Sequence, residues 1–324
     1  MLNWGIYGAG KIADKFATDF LKVDEAKLIA AYARDLDKCN KFCDKHKIEH
    51  AYNDEQAFFS DANIDIVYIA TPHNLHAESA LKAIKAGKHV LCEKPFALNA
   101  KQAKEVLDAA EEAGVFIMEA IWSLFLPTIR KVLSWVDSGK IGTIKHIQAN
   151  FGFKGNLDPE WRLMNPKLGG GALLDVGIYP VMISNALMKS KPVSIKASAK
   201  LTDTGVDGTT SMVLEYPGKV MASLNASIET QLLNTLIIYG EIGRIEVPSF
   251  WMSDKAYLII DDDIEIYNAD EDGKNGYHHE TRAVTDVIEN RKLQHPYITH
   301  EFTLSLIETL DAIRKEVGVV YDVD

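Results

Sequence analysis

Four short segments carry the side chains best suited to chemistry. Glu93-Lys94-Pro95 closes an apolar run that begins at Leu91, so Lys94 stands at the end of a predicted strand, just before a proline turn. Gly8-Ala9-Gly10-Lys11-Ile12-Ala13 follows the first apolar run and opens a helical pattern. Glycine there lets the backbone bend tightly and approach a pyrophosphate, whose charge the helix N-terminus favours; Ala13 still allows close helix–sheet packing. That segment predicts a dinucleotide site. Thr71-Pro72-His73 leaves another predicted strand and is expected to line the same ligand on its nicotinamide side, and His76, one helical turn on, reads equally as a cofactor neighbour or a helix-capping side chain. Gly169-Gly170-Gly171 leads into a helical stretch on which Asp175 and Tyr179, at i and i+4, share one face. Trp161 offers a flat wall for a sugar or aromatic ring and Arg162 a donor for phosphate or substrate oxygen, with Trp122 a second such wall.

These groups work together only if the chain brings them to one place. Apolar runs at 2–7, 28–33, 64–70, 89–92 and 116–119 read as strands, and helical patterns at 12–21, 36–46, 75–86 and 100–113 lie between them. Strict alternation implies βαβ units, a doubly wound parallel sheet of Rossmann type with helices on both faces, and functional loops at the carboxyl edge. Gly87 and Gly114 sit where left-handed C-caps are expected. After a helix near 126–138 the pattern changes to strand after strand, at 195–201, 211–216, 220–228, 236–239 and 257–260, before a last amphipathic helix at 302–317. The fold class expected is α/β: a dinucleotide-binding domain over residues 1–121, then an α+β substrate-binding and dimerisation domain over 122–324 with a largely antiparallel open sheet. One helix-covered face leaves the other free, with apolar positions that suit a homodimer.

Composition narrows the partners. The 324 residues, 47% hydrophobic and 25% charged, are those of a globular protein of two domains. With 46 acidic against 35 basic residues the net charge is −11, and the absence of a basic stripe argues against nucleic acid. No apolar run is expected to span a membrane, residues 1–9 lack the features of a signal peptide, and three cysteines fit a cytoplasmic protein. Cys39, Cys43, His46, Glu49 and His50 imitate zinc spacings, but Cys39 and Cys43 fit the buried stripe of a helix ending near Lys47, so no metal is expected. His278 and His279, after the flexible-looking stretch 270–276, are expected in solvent.

Cofactor choice should show after the second strand. Arg34 suits a 2′-phosphate, with Lys38 a turn later, while Asp35 reads as the N-cap of the next helix, so NADP is preferred to NAD. Read together, Gly8-x-Gly10, Glu93-Lys94-Pro95 and the Gly169–Tyr179 segment resemble the Gfo/Idh/MocA oxidoreductase family along the whole chain. Tyrosine at 179, where most members carry histidine, and Met118-Glu119-Ala120-Ile121-Trp122 resemble its branch of dimeric dihydrodiol and NADP-dependent D-xylose dehydrogenases; Leu124 departs from that branch, which tends to carry arginine there. The resemblance implies hydride transfer between a nicotinamide and a sugar, polyol or dihydrodiol hydroxyl. A free phenol with a pKa near ~10 is a weak base at neutral pH, and a neighbouring ammonium favours the phenolate. Tyr179 is then the proton acceptor, Lys94 tunes and positions it, and Asp175 holds substrate or Lys94. A non-catalytic cofactor-binding sensor and an NAD-dependent glycosidase share the fold and are the alternatives.

Overall fold

Apolar runs too short for a buried helix alternate with longer segments of 3.6-residue period, and this sets the first half of the chain. In the computed structural model, which describes residues 1–269 and 276–324, they form β1 (Leu2–Tyr7), α1 (Lys11–Phe20), β2 (Ala26–Tyr32), α2 (Leu36–His46), β3 (His50–Tyr52), α3 (Glu55–Ser60), β4 (Ile66–Ile69), α4 (His76–Lys85), β5 (His89–Glu93), α5 (Ala100–Ala113) and β6 (Ile117–Ala120). The six strands lie parallel in the order β3-β2-β1-β4-β5-β6. The doubly wound expectation is met, and the strand order reverses between β1 and β4. Gly114 caps α5 at φ 64° and Gly87 follows α4 at φ 72°, both left-handed. The helix α3 was not foreseen, because six residues carry almost no periodic signal.

The expected division at 121/122 omits a return of the chain. Residues 1–122 form one compact unit with 276–304, and residues 123–269 form the other with 305–324. In the first unit α8 (Tyr277–Glu289) packs on α1: the Tyr277 N–H donates to Asp19 Oδ2 at 3.0 Å, and the Arg282 guanidinium donates to the Lys22 carbonyl. Tyr277 also meets Trp122, with ring centroids 4.9 Å apart, and Phe16 at 6.4 Å. His278 is therefore not in solvent: it is 7% exposed, with Nδ1 3.7 Å from Asp19. Residues 270–275 of the stretch read as flexible lie outside the described residues.

The second unit is built on eight strands: β7 (Ile144–Gly152), β8 (Ser194–Leu201), β9 (Asp207–Tyr216), β10 (Val220–Ser227), β11 (Thr235–Gly240), β12 (Arg244–Pro248), β13 (Lys255–Ile260) and β14 (Asp263–Asn268). Their order is β14-β13-β12-β11-β7-β10-β9-β8; β7 and β10 pair in parallel and the remaining pairs are antiparallel. Helices α6 (Pro127–Asp137) and α7 (Ile178–Met188) belong to this unit, and the unit boundary falls inside α9 (His300–Val317). Alternation buries Ile147, Ala149, Met212, Leu214, Ala222 and Leu224 on one face, where α7 packs on β7 and β10. The segment Pro166–Met188 is long and apolar enough to cross a membrane by length and composition, and 89% of its apolar window is buried inside the protein. The opposite sheet face is more polar than its pattern suggested: Ser211 donates to Asn225 at 2.7 Å and Asn225 to Asn150 at 2.8 Å, with Val213 41% exposed beside them.

Candidate active site

In the first unit the sheet order places the candidate residues along one edge. Arg34 leaves β2, the glycine turn leaves β1, Thr71 to His73 leave β4 and Lys94 leaves β5, all at carboxyl ends. At the switch between β1 and β4, Gly8 has φ 112° and a Cβ on it would stand 2.8 Å from the Ala70 carbonyl oxygen. Only glycine fits that approach. Gly10 is the N-cap of α1 and no side chain caps that end, so the helix presents backbone N–H groups. Ala9, Gly8 and Gly10 are half-buried, Ile12 is half-buried, and Lys11 is exposed at the first helical position. A cradle of this shape fits a pyrophosphate. Arg34 and Lys38 are exposed, and Asp35 accepts the Lys38 N–H at 3.0 Å as the N-cap of α2.

The strand-end loops sort into surface and support. Pro72 is exposed and Thr71 and Lys94 are half-buried, whereas His73 is 7% exposed. His76, read equally as a cofactor neighbour or a capping side chain, is fully buried, with Nδ1 2.7 Å from the Pro95 carbonyl and Nε2 2.9 Å from the Thr71 carbonyl. It has no surface to offer a ligand and ties two loops instead. Glu93 is likewise 4% exposed and accepts the Tyr68 hydroxyl inside the unit. Burial, then the charge of Glu93, pushes the Tyr68 phenol well above its usual value. Trp122, at 6% exposure, packs on Tyr277 of α8. The zinc-like residues are also structural: Cys39 donates to the Ala31 carbonyl at 3.2 Å and His46 meets Asp14 at 2.8 Å.

In the second unit the glycine run turns through left-handed geometry at Gly169 (φ 71°) and Gly171 (φ 118°). Leu173–Gly177 is one π-helical turn rather than the α-helix implied by the spacing, and α7 follows it directly. Asp175 is 6% exposed and receives Arg162 Nη2 at 2.9 Å, which joins two candidates that were named separately. Tyr179 is 7% exposed, with its ring 5.5 Å from Phe151, which stacks on Trp251 at 3.9 Å. Trp161 packs edge-on against Phe153 at 6.3 Å, and Leu124 is 2% exposed. Phe151 and Trp251 were not foreseen. Phe151 ends a strand that the sequence reading missed, and Trp251 sits in a short turn with no periodic signal.

The family model of Gfo/Idh/MocA oxidoreductases, with an NAD-binding Rossmann fold, matches residues 2–121, and the model of the Gfo/Idh/MocA C-terminal domain matches residues 129–246. The trans-1,2-dihydrobenzene-1,2-diol dehydrogenase of Mus musculus is 34% identical over 333 residues, covering 100% of this chain and 99% of that one. The chain belongs to the Gfo/Idh/MocA oxidoreductase family. The Xenopus laevis enzyme of the same name is 38% identical over 260 residues, 79% of this chain and 78% of its own. Among solved structures, the open conformation of KijD10, a 3-ketoreductase from Actinomadura kijaniata with TDP-benzene and NADP, superposes with a TM-score of 0.84 at 25% identity and covers 98% of each chain. As a Gfo/Idh/MocA member with these relatives, the protein is a nicotinamide-dependent dehydrogenase.

Proposed function

We propose that this dehydrogenase moves hydride between NADP and a secondary or hemiacetal hydroxyl of a sugar, polyol or dihydrodiol. The observation that carries the reading is the place of Lys94: it leaves β5 on the same sheet edge as the glycine cradle, separated from β1 only by β4. A dinucleotide seated on that cradle would supply its nicotinamide as hydride acceptor. Gly8, Ala9, Gly10, Lys11 and Ile12 would hold the pyrophosphate, Arg34 and Lys38 the 2′-phosphate, and Thr71, Pro72 and His73 would flank the nicotinamide side. Tyr179 takes the hydroxyl proton as the carbon gives up hydride and the carbonyl forms, and returns it in the reverse direction. Lys94 orients the hydroxyl oxygen and favours the phenolate, while Asp175, paired with Arg162, positions substrate beside Trp161. The names of the relatives support a hydroxyl-bearing ring as substrate, and the NADP in the KijD10 complex supports the cofactor. The same reading places the protein in the cytoplasm as a homodimer formed through the open sheet.

A spectrophotometric screen of trans-dihydrodiols, aldoses and inositols with NADP and NAD tests this directly. Net reduction of NADP by one class is expected; binding without net reduction for every candidate returns the protein to the sensor or glycosidase alternatives. On the active substrate, Tyr179→Phe and Lys94→Ala should each lower kcat by roughly 10²–10⁴-fold, the range of general acid–base catalysis. Cofactor affinity should stay within a few fold. Near-normal turnover in either variant removes that residue from the mechanism.

A further inference from the structure

The peptide group that follows Lys94-Pro95 is gripped at both ends by buried ionisable side chains. Its carbonyl, on Pro95, lies 2.7 Å from His76 Nδ1, and its N–H, on Phe96, donates to Glu119 Oε1 at 2.9 Å. His76 and Glu119 are both fully buried. The other ring nitrogen of His76 lies 2.9 Å from the Thr71 carbonyl. A carbonyl oxygen only accepts, so a hydrogen bond to each of these carbonyls takes a proton on each ring nitrogen. The second carboxylate oxygen of Glu119, Oε2, is buried without a hydrogen-bond partner among the described residues, and the group feels the charge of Lys94.

We propose that His76 and Glu119 are positioning residues that hold Lys94 in place by clamping the Pro95–Phe96 peptide from opposite ends. Ring, polarised peptide and carboxylate form one chain of hydrogen bonds, each strengthening the next where water is excluded. The same ring ties the Thr71 loop to the Lys94 loop, so both strand ends move as one piece. Other groups face the clamp. The rings of His73 and His76 stand 5.7 Å apart, the charge of Glu93 acts on Glu119, and the Cys92 thiol donates to the Phe96 carbonyl at 3.9 Å. Burial dominates the balance at Glu119 and lifts its carboxyl to about 8, despite the bond from the Phe96 N–H and the pull of Lys94. Above that pH the carboxylate is formed and the clamp is complete; below it the acceptor is neutral and the grip on Lys94 weakens.

This role rests on the reading of Lys94 as a catalytic group, and the experiment separates the two. In wild-type protein labelled with ¹⁵N-histidine, His76, assigned by loss of its signals in His76→Asn, should show two protonated ring nitrogens at pH 8.5. A neutral tautomer overturns the clamp whatever Lys94 does. Glu119→Gln keeps an oxygen for the Phe96 N–H but not the charge. It should lower kcat about tenfold, leave the KM for cofactor within twofold, and remove a limb near pH 8 from the kcat profile. Unchanged kcat with that limb intact also overturns the proposal. If Lys94→Ala turns over normally, the reading of Lys94 fails, and the histidine signals still decide whether the clamp exists.

Discussion

At Arg34 a single exposed guanidinium stands after β2, next to a carboxylate already occupied as a helix cap. Asp35 engaged in this way leaves the 2′-position to a cation, so Arg34→Ala should raise the KM for NADP at least tenfold and change that for NAD less than twofold. Steady-state kinetics with both cofactors reads this, and an unchanged ratio would sink the assignment. Asp207 is a second residue whose surroundings dictate a result. It is fully buried and accepts the Leu173 N–H at 2.7 Å and the Thr210 hydroxyl at 2.6 Å, and burial raises its carboxyl from 3.8 to about 6. Between pH 4 and 6 the unfolded chain gives up this proton and the folded one keeps it. Its contribution to stability is therefore full below pH 4 and lost as pH rises through 6, by about 3 kcal/mol at 1.36 kcal/mol per unit. Urea unfolding of Asp207→Asn and wild type should show the difference between them move by about that amount in favour of the variant from pH 4 to pH 7.

At the scale of elements, two glycine turns bear on different parts of the work. An alanine at 8 would meet the Ala70 carbonyl with its backbone in left-handed territory, whereas an alanine at 171 would place its Cβ 2.3 Å from Asp207 Oδ1 just ahead of the π turn. Strain of about 1–3 kcal/mol at either position should act locally. Gly8→Ala should weaken cofactor binding at least tenfold in a fluorescence titration, and Gly171→Ala should lower kcat while cofactor affinity stays within twofold. The reverse pattern would contradict the division of labour between the two turns. Glycines that open helices after strands were legible in the sequence, as were most of the parallel strands. The π turn was not, because its extra residue per turn leaves no mark on an apolar pattern that is buried all round. Nor was the support role of His76 and Glu93. Residue type names the chemistry a side chain can do, but the contacts it makes within its own unit, as His76 makes with the Thr71 and Pro95 carbonyls, appear only with the fold.

At the scale of the molecule, the open sheet carries a hydrogen-bonded ladder of Ser211, Asn225 and Asn150 with Val213 beside it. The homodimer proposed on that face would be held by polar register as much as by apolar area, so charge placed there should separate it. Val213→Asp with Asn225→Arg is expected to sediment as a monomer while cofactor binding persists; a dimer of unchanged stability would move the interface elsewhere. The return of residues 276–304 to the first unit has a consequence in time. A chain made from its N-terminus completes all six parallel strands long before α8 exists, and at about 5–20 residues per second the wait is on the order of ten seconds or more. Through that wait Phe16, Trp122 and the Asp19 carboxylate have not met Tyr277. A fragment of residues 1–122 should therefore aggregate when expressed alone and become soluble when 276–304 is appended. The nascent protein is then a client for chaperones until its far end is synthesised.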